Sequence, residues 1–220
     1  MLKTPIFITN FKNYEQAIGQ NAIKLALIHQ QVAEDTGASI AIAVNPIDLY
    51  AVAQAVSIPV FAQHVDPVDF GSFTGQVLPQ ALKRAGAIGS LLNHSERRLD
   101  KDILTNAMAC AQKSSLIRIL CTESAEEAEE LIQLDPDFLA FEPPELIGSS
   151  SKSVSTEAPE SIARVVALSS GVPIIVGAGI NKPEDIKIAL KLGASGFLVA
   201  SAVVKSKNPA KALTDFINAF

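Results

Sequence analysis

Eight short apolar runs, each followed by a longer segment with a helical period, constrain this chain more than any other feature. The runs are Pro5–Thr9, Ser39–Val44, Val60–Gln63, Ile88–Leu92, Ile117–Cys121, Phe138–Phe141, Ile174–Val176 and Gly196–Val199. Several are apolar throughout, as in Ile40-Ala41-Ile42-Ala43-Val44 and Ile174-Ile175-Val176. That is the pattern of parallel strands covered on both faces. Between them, Ala22, Ile23, Ala26, Leu27 and the residues from Gln30 onward predict a long amphipathic helix. Ala125, Ala128, Leu131 and Ile132 predict a shorter one, capped by Ser124 with Glu127 three residues on. Pro183-Glu184-Asp185 opens another, with acid in the first turn where the helix dipole favours it. Eight strand-helix units in 220 residues are the number that closes a parallel barrel. An open doubly wound sheet uses the same pieces. The final unit repeats the layout of the first, and no linker or composition shift divides the chain, which favours the barrel. The expected fold is therefore α/β, a single-domain (βα)8 barrel over residues 1–220, with its chemistry at the C-terminal strand ends.

Composition narrows the partners. Hydrophobic residues make up 48% and charged residues 19%, which describes a globular chain. The formal net charge of -5, with no block of Lys or Arg, argues against nucleic acid or an anionic membrane as the main partner. Cys110 and Cys121 are too few and too scattered for a disulfide frame or a metal site, and a reducing compartment suits them. The apolar run Pro5-Ile6-Phe7-Ile8 is far shorter than a signal-peptide core, and no stretch approaches the roughly 20 residues that span a bilayer. A soluble cytoplasmic protein is expected.

The strand exits carry the polar residues. The first runs into Asn10-Phe11-Lys12, and alternation places residues 10 and 12 on one face with Phe11 on the other. The fourth opens into Asn93-His94-Ser95-Glu96-Arg97-Arg98, with the side chain best suited to move protons near neutrality placed before a helix start. The sixth ends in Phe141-Glu142-Pro143-Pro144, where two prolines hold the carboxylate rigidly and burial would make it a better base. The seventh and eighth lead to Gly177-Ala178-Gly179 and Ala200-Ser201, small residues that let backbone N–H groups approach an anion. These features describe a phosphate-binding barrel with Lys, His and Glu at its mouth, suited to proton abstraction beside a carbonyl. They do not name the substrate. Gly148 to Ser155 reads as a loop, His64 as a structural hydrogen-bonding residue, His29 as a surface residue of its helix, and both cysteines as small buried side chains.

Four segments resemble the signature of the triosephosphate isomerase family: Asn10-Phe11-Lys12, Gly71-Ser72-Phe73-Thr74-Gly75, His94-Ser95-Glu96-Arg97-Arg98 and Phe141-Glu142-Pro143. They fall in the family's order over the whole chain. The short length and the Glu142-Pro143-Pro144-Glu145-Leu146-Ile147-Gly148 segment resemble its compact archaeal branch. The resemblance implies a TIM barrel that interconverts dihydroxyacetone phosphate and glyceraldehyde 3-phosphate through an enediolate, without cofactor or metal. It implies Glu142 as base, His94 as carbonyl polariser and proton carrier, Lys12 as the cation that stabilises the negative charge of both the enediolate and the phosphate, paired with Glu96 in the empty site, and Asn10 as support for the oxygens, so that Asn10 and Lys12 also bind substrate. Phosphate would be held by Ile147, Gly148, Gly179, Ala200 and Ser201, under a lid from Pro143 to about Ser150. Loop three, with Phe70, Phe73 and Thr74, would reach into a neighbouring subunit of a homodimer or homotetramer. The chain departs from the commoner family pattern in having no Trp in the lid, Val176-Gly177-Ala178-Gly179 for Tyr-Gly-Gly-Ser, Ala200-Ser201 for a glycine pair, and Gln76 for Glu. A phosphosugar epimerase, an indole-pathway enzyme or a non-catalytic phosphate-binding barrel are the alternatives. With only three His in the chain, a metal-dependent epimerase lacks ligands.

Overall fold

The eight apolar runs form eight strands, and each pairs in parallel with the next until β8 closes on β1. The computed structural model describes residues 2–143 and 154–220, without the side chains of Val154 and Thr156. The chain runs β1 (Ile6–Asn10), α1 (Gln20–Thr36), β2 (Ser39–Val44), α2 (Pro46–Ala55), β3 (Val60–Ala62), α3 (Pro79–Arg84), β4 (Gly89–Leu92), α4 (Lys101–Lys113) and β5 (Ile117–Thr122). It continues α5 (Ala125–Leu131), β6 (Phe138–Phe141), α6 (Val154–Glu157), α7 (Pro159–Leu168), β7 (Ile174–Val176), α8 (Pro183–Lys191), β8 (Gly196–Val199), α9 (Ser201–Val204) and α10 (Pro209–Ile217). The expected (βα)8 barrel is therefore present. No helix among the described residues is long and apolar enough to cross a membrane.

Strand alternation sorts the side chains into two cores. Ile6, Ile8, Ala41, Phe61, Ile119 and Leu198 fill the barrel interior, while Phe7, Ile40, Leu139, Val176 and Phe197 face the helices. Interior space is tight enough to require glycine where neighbouring strands crowd. A Cβ on Gly196 would lie 2.6 Å from the Ile6 carbonyl oxygen, and one on Gly89 would lie 2.4 Å from that of Ile117. Truncating a fully buried interior residue such as Ile8 to Ala costs about 2–5 kcal/mol.

Local sequence sets the helix ends. Asn45 caps α2 by accepting from the N–H groups of Ile47 and Asp48, with Pro46 pre-set for the first turn. Ser124 caps α5 by accepting from Glu127 N–H, as its spacing predicts, and the Glu127 carboxylate turns back to Glu123 N–H at 2.7 Å. Three expectations are corrected. Val154 and Ser155 belong to α6 and not to the loop read from 148 to 155, the rest of which lies outside the described residues. His29 is fully buried, because α1 packs a face of Ala22, Leu25, Ala26, His29 and Val32 inward and leaves Leu27 exposed. Its ring spans the gap to β1, with Nε2 2.8 Å from Thr9 Oγ1 and Nδ1 2.8 Å from the Leu25 carbonyl. A buried ring with both nitrogens partnered meets no unpaired polar cost. Cys121 is buried as expected, whereas Cys110 is only partly so.

Candidate active site

The interior alternation continues one step past the strands. Beyond Ile8, Ile119, Ala140, Ile175 and Leu198 come Asn10, Cys121, Glu142, Gly177 and Ala200, and all but Cys121 line one cavity at the barrel mouth. Lys12, Tyr14, His94, Gly179, Asn181 and Ser201 complete much of its wall. The structure thus brings together seven of the residues read from the sequence: Asn10, Lys12, His94, Glu142, Gly179, Ala200 and Ser201. Ile147, Gly148 and the rest of the lid segment after Pro143 lie outside the described residues.

His94 reaches the mouth through a break in its strand. Alternation from Leu92, which faces the helices, would carry His94 outward as well. Asn93 adopts φ 59°, a left-handed conformation that Asn tolerates better than most side chains, and the chain turns inward there. The Asn93 amide is held on both sides, donating to Cys121 O at 3.2 Å and accepting from Leu99 N at 3.0 Å. The His94 ring then accepts from Glu96 N–H at Nδ1, at 3.1 Å. A nitrogen that accepts carries no proton, so this geometry belongs to the neutral ring with its proton on Nε2.

Glu142 faces that proton. Its Oε2 lies 3.7 Å from His94 Nε2, too far for a hydrogen bond, and is buried without a hydrogen-bond partner among the described residues. Burial pushes the carboxyl above its usual range, against the opposing pull of His94, the Cys121 thiol and Lys12. The backbone fixes its position, with Glu142 N donating to Thr122 O at 2.8 Å and Gly177 N donating to Phe141 O at 3.0 Å. Gly177 has a second role that small size alone did not reveal in the sequence. A Cβ there would lie 2.6 Å from Glu142 Cγ and 2.7 Å from Oε1, so the carboxylate rests directly on the glycine backbone.

Lys12 stands opposite. Its Nζ pairs with Glu96 Oε1 at 2.7 Å, the empty-site pairing the resemblance implies. Its backbone has φ 47°, and its N–H donates to Asn10 Oδ1 at 3.0 Å. A non-glycine residue in this region is strained, and such strain collects at functional sites. His64 is bound to Asp66 at 3.0 Å, which fits the structural role expected of it. Asp66 also accepts from Val77 N and lies 3.4 Å from Arg97, tying the base of loop three to the His94 turn. Sequence reading passed over Gln63, although its side chain contacts Asn10 and Lys12 directly.

The fold and this mouth define a class: a (βα)8 barrel with a buried carboxylate, a neutral imidazole and an ammonium converging on one cavity. The sequence profile of the triosephosphate isomerase family matches residues 5–220. Triosephosphate isomerase of Methanobacterium bryantii is 42% identical over 220 residues, covering 98% of this chain and 97% of that protein. Those of Saccharolobus solfataricus and Metallosphaera sedula are 43% and 44% identical, over 98% and 99% of this chain and 96% of each relative. The chain belongs to the triosephosphate isomerase family.

Proposed function

We propose that this chain interconverts dihydroxyacetone phosphate and D-glyceraldehyde 3-phosphate, an isomerase step of glycolysis and gluconeogenesis, with Glu142, His94, Lys12 and Asn10 carrying the chemistry. The observation that supports the residue roles most directly is the buried Glu142 Oε2, without a hydrogen-bond partner among the described residues and 3.7 Å from the protonated nitrogen of a neutral His94. Glu142 removes a proton from the hydroxymethyl carbon of the ketone as the carbon–carbon double bond of the enediolate forms. His94 Nε2–H donates toward the former carbonyl oxygen, and the ring recovers a proton from the neighbouring hydroxyl. Glu142 then delivers its proton to the former carbonyl carbon, giving the aldehyde with no net gain or loss of protons. A base with a pKa raised toward the working pH is better matched to a weak carbon acid. Lys12 and the Asn10 amide offset the negative charge that develops on the two oxygens.

The phosphate sits on the other side of the cavity, against Gly179, Ala200 and Ser201, with Ile147 and Gly148 from the lid. Among the described residues no side-chain cap bonds the first turn of α9, which leaves backbone donors there for an anion. The substitutions relative to the commoner glycine pair are compatible with this grip, because main-chain N–H groups do not depend on the side chain. No cofactor takes part in this scheme.

The enzyme is cytoplasmic and works as a homodimer or homotetramer. Loop three exposes Phe70 and Phe73, and a second cleft beside Lys12 is rimmed by Ile18 and the 92%-exposed Ile47. Apolar surface of this kind suits burial between subunits. A stable, active monomer by light scattering would remove the oligomer from this reading. A coupled assay with purified protein tests the function: rapid conversion in both directions is expected. Phosphate-ester binding without turnover would leave a non-catalytic barrel as the better reading.

A further inference from the structure

The structure assigns to Gln63 a positioning role for Asn10 and Lys12: one side-chain amide sets which face Asn10 turns to the substrate and holds Lys12 in its left-handed conformation. The inference rests on the proposed roles of those two residues.

Gln63 follows β3 directly and lies on the rim of the cleft beside Lys12. The two N–H bonds of its Nε2 are shared among three acceptors, Asn10 Oδ1 at 3.2 Å, Lys12 O at 3.2 Å and Ala43 O at 3.3 Å. Two of the three acceptors are backbone carbonyls, which cannot donate, so the Gln63 amide has only one way to face. At 3.2 Å from this NH2 an Asn10 NH2 would set donor against donor, so Asn10 presents its oxygen to Gln63. Lys12 N–H demands the same orientation from Asn10, at 3.0 Å. With Oδ1 occupied by two donors, the Asn10 NH2 is the group left to address the cavity. It is a donor, as a developing oxyanion needs.

The same amide holds Lys12 by its carbonyl while Asn10 holds it by its N–H. Both ends of a residue at φ 47° are thereby fixed by side chains from two strand exits. Strained backbone persists only where its surroundings over-determine it. Without Gln63, Lys12 keeps its ion pair with Glu96 but loses the contact on its carbonyl, and Asn10 loses one of its two constraints.

Gln63→Glu tests this with almost no change of shape. A carboxylate oxygen in place of Nε2 would face Asn10 Oδ1 and two carbonyls, with no proton to give any of them. We expect kcat/KM to fall about 100-fold in Gln63→Glu and about 10-fold in Gln63→Met, as for a misplacement near 1 Å. Inhibition by inorganic phosphate is expected to weaken much less, by no more than about threefold, since the main-chain donors of the phosphate grip lie across the cavity and only the Lys12 contribution is disturbed. A two-carbon phosphorylated carboxylate that mimics the enediolate is expected to bind at least about 10-fold more weakly. A purely structural role would weaken both inhibitors or neither, and the thermal midpoint of Gln63→Met reports folding separately. Lys12→Ala separates the role of Gln63 from that of the site it supports. If Lys12→Ala retains normal kinetics, the site reading fails; if it is crippled while Gln63→Glu matches wild type, only the role of Gln63 is overturned.

Discussion

The two sides of the cavity are built from different material. On the side of β1, β3 and β4, side chains do the holding: Gln63 fixes Asn10, Asn10 and Gln63 fix Lys12, and Asn93 turns the strand so that Glu96 can fix His94. Two of the residues there, Lys12 and Asn93, have left-handed backbone without being glycine. On the side of β7 and β8, the small residues Gly177, Gly179, Ala200 and Ser201 line the wall beside Asn181, whose amide donates to the Gly179 carbonyl at 2.9 Å. A transition state in which charge moves between carbon and oxygen needs groups of particular acidity at particular atoms. A phosphate that does not react needs only donors. The first requirement restricts residue type severely, and the second restricts size.

That contrast can be broken or sharpened by substitution. Gly177→Ala is the strongest challenge, because it adds one methyl on the permissive side at a point where Glu142 rests. A fall of about 100-fold in kcat is expected, with KM changed much less, from displacement of the carboxylate. Steady-state kinetics decide whether Gly177 belongs functionally to the base or to the phosphate.

Behind the side-chain half, His29 makes stability depend on acid. Burial pushes its pKa down to about 4, so the unfolded chain takes up a proton first as pH falls from 6.5. Stability is present above 6.5 and is lost progressively toward pH 4, by about 3 kcal/mol, and urea titrations across that window check it. His29→Asn should flatten the slope.

Glu142 has the opposite sign. Its folded-state pKa is raised above 4.5, so stability is highest below that value and declines as pH climbs through the folded one. Glu142→Gln is therefore expected to raise the thermal midpoint at pH 7 and to lose that gain at pH 4. The smallest effect belongs to the phosphate side. Ser201→Ala should change KM less than about threefold, as expected where the backbone rather than the hydroxyl binds. A larger loss would show that a side chain has replaced the glycine pair's function.

The same contrast governs what could be read in advance. All eight strands were legible because apolar runs covered on both faces have few alternatives in a chain of alternating units. Asn10, Lys12, His94 and Glu142 stood out as polar groups directly after buried strands. Gln63 did not, because an amide two residues after a strand centre carries no signal until its acceptors arrive from β1 and β2. His29 was misread for a similar reason: helical period gives the apolar face, and only Thr9 across the gap explains a histidine on it. Gly177 was visible as small, but the reason for its size comes from Glu142 on another strand.

The central claim is that Glu142 moves the proton in a cavity whose phosphate grip is separate. Kinetics of Glu142→Asp in the coupled triose phosphate assay test it most directly, since the change withdraws the carboxylate by one methylene and leaves its charge. The expected result is a kcat about 1,000-fold lower with KM within about threefold of wild type. An unchanged kcat, or equal losses in kcat and KM, would contradict it.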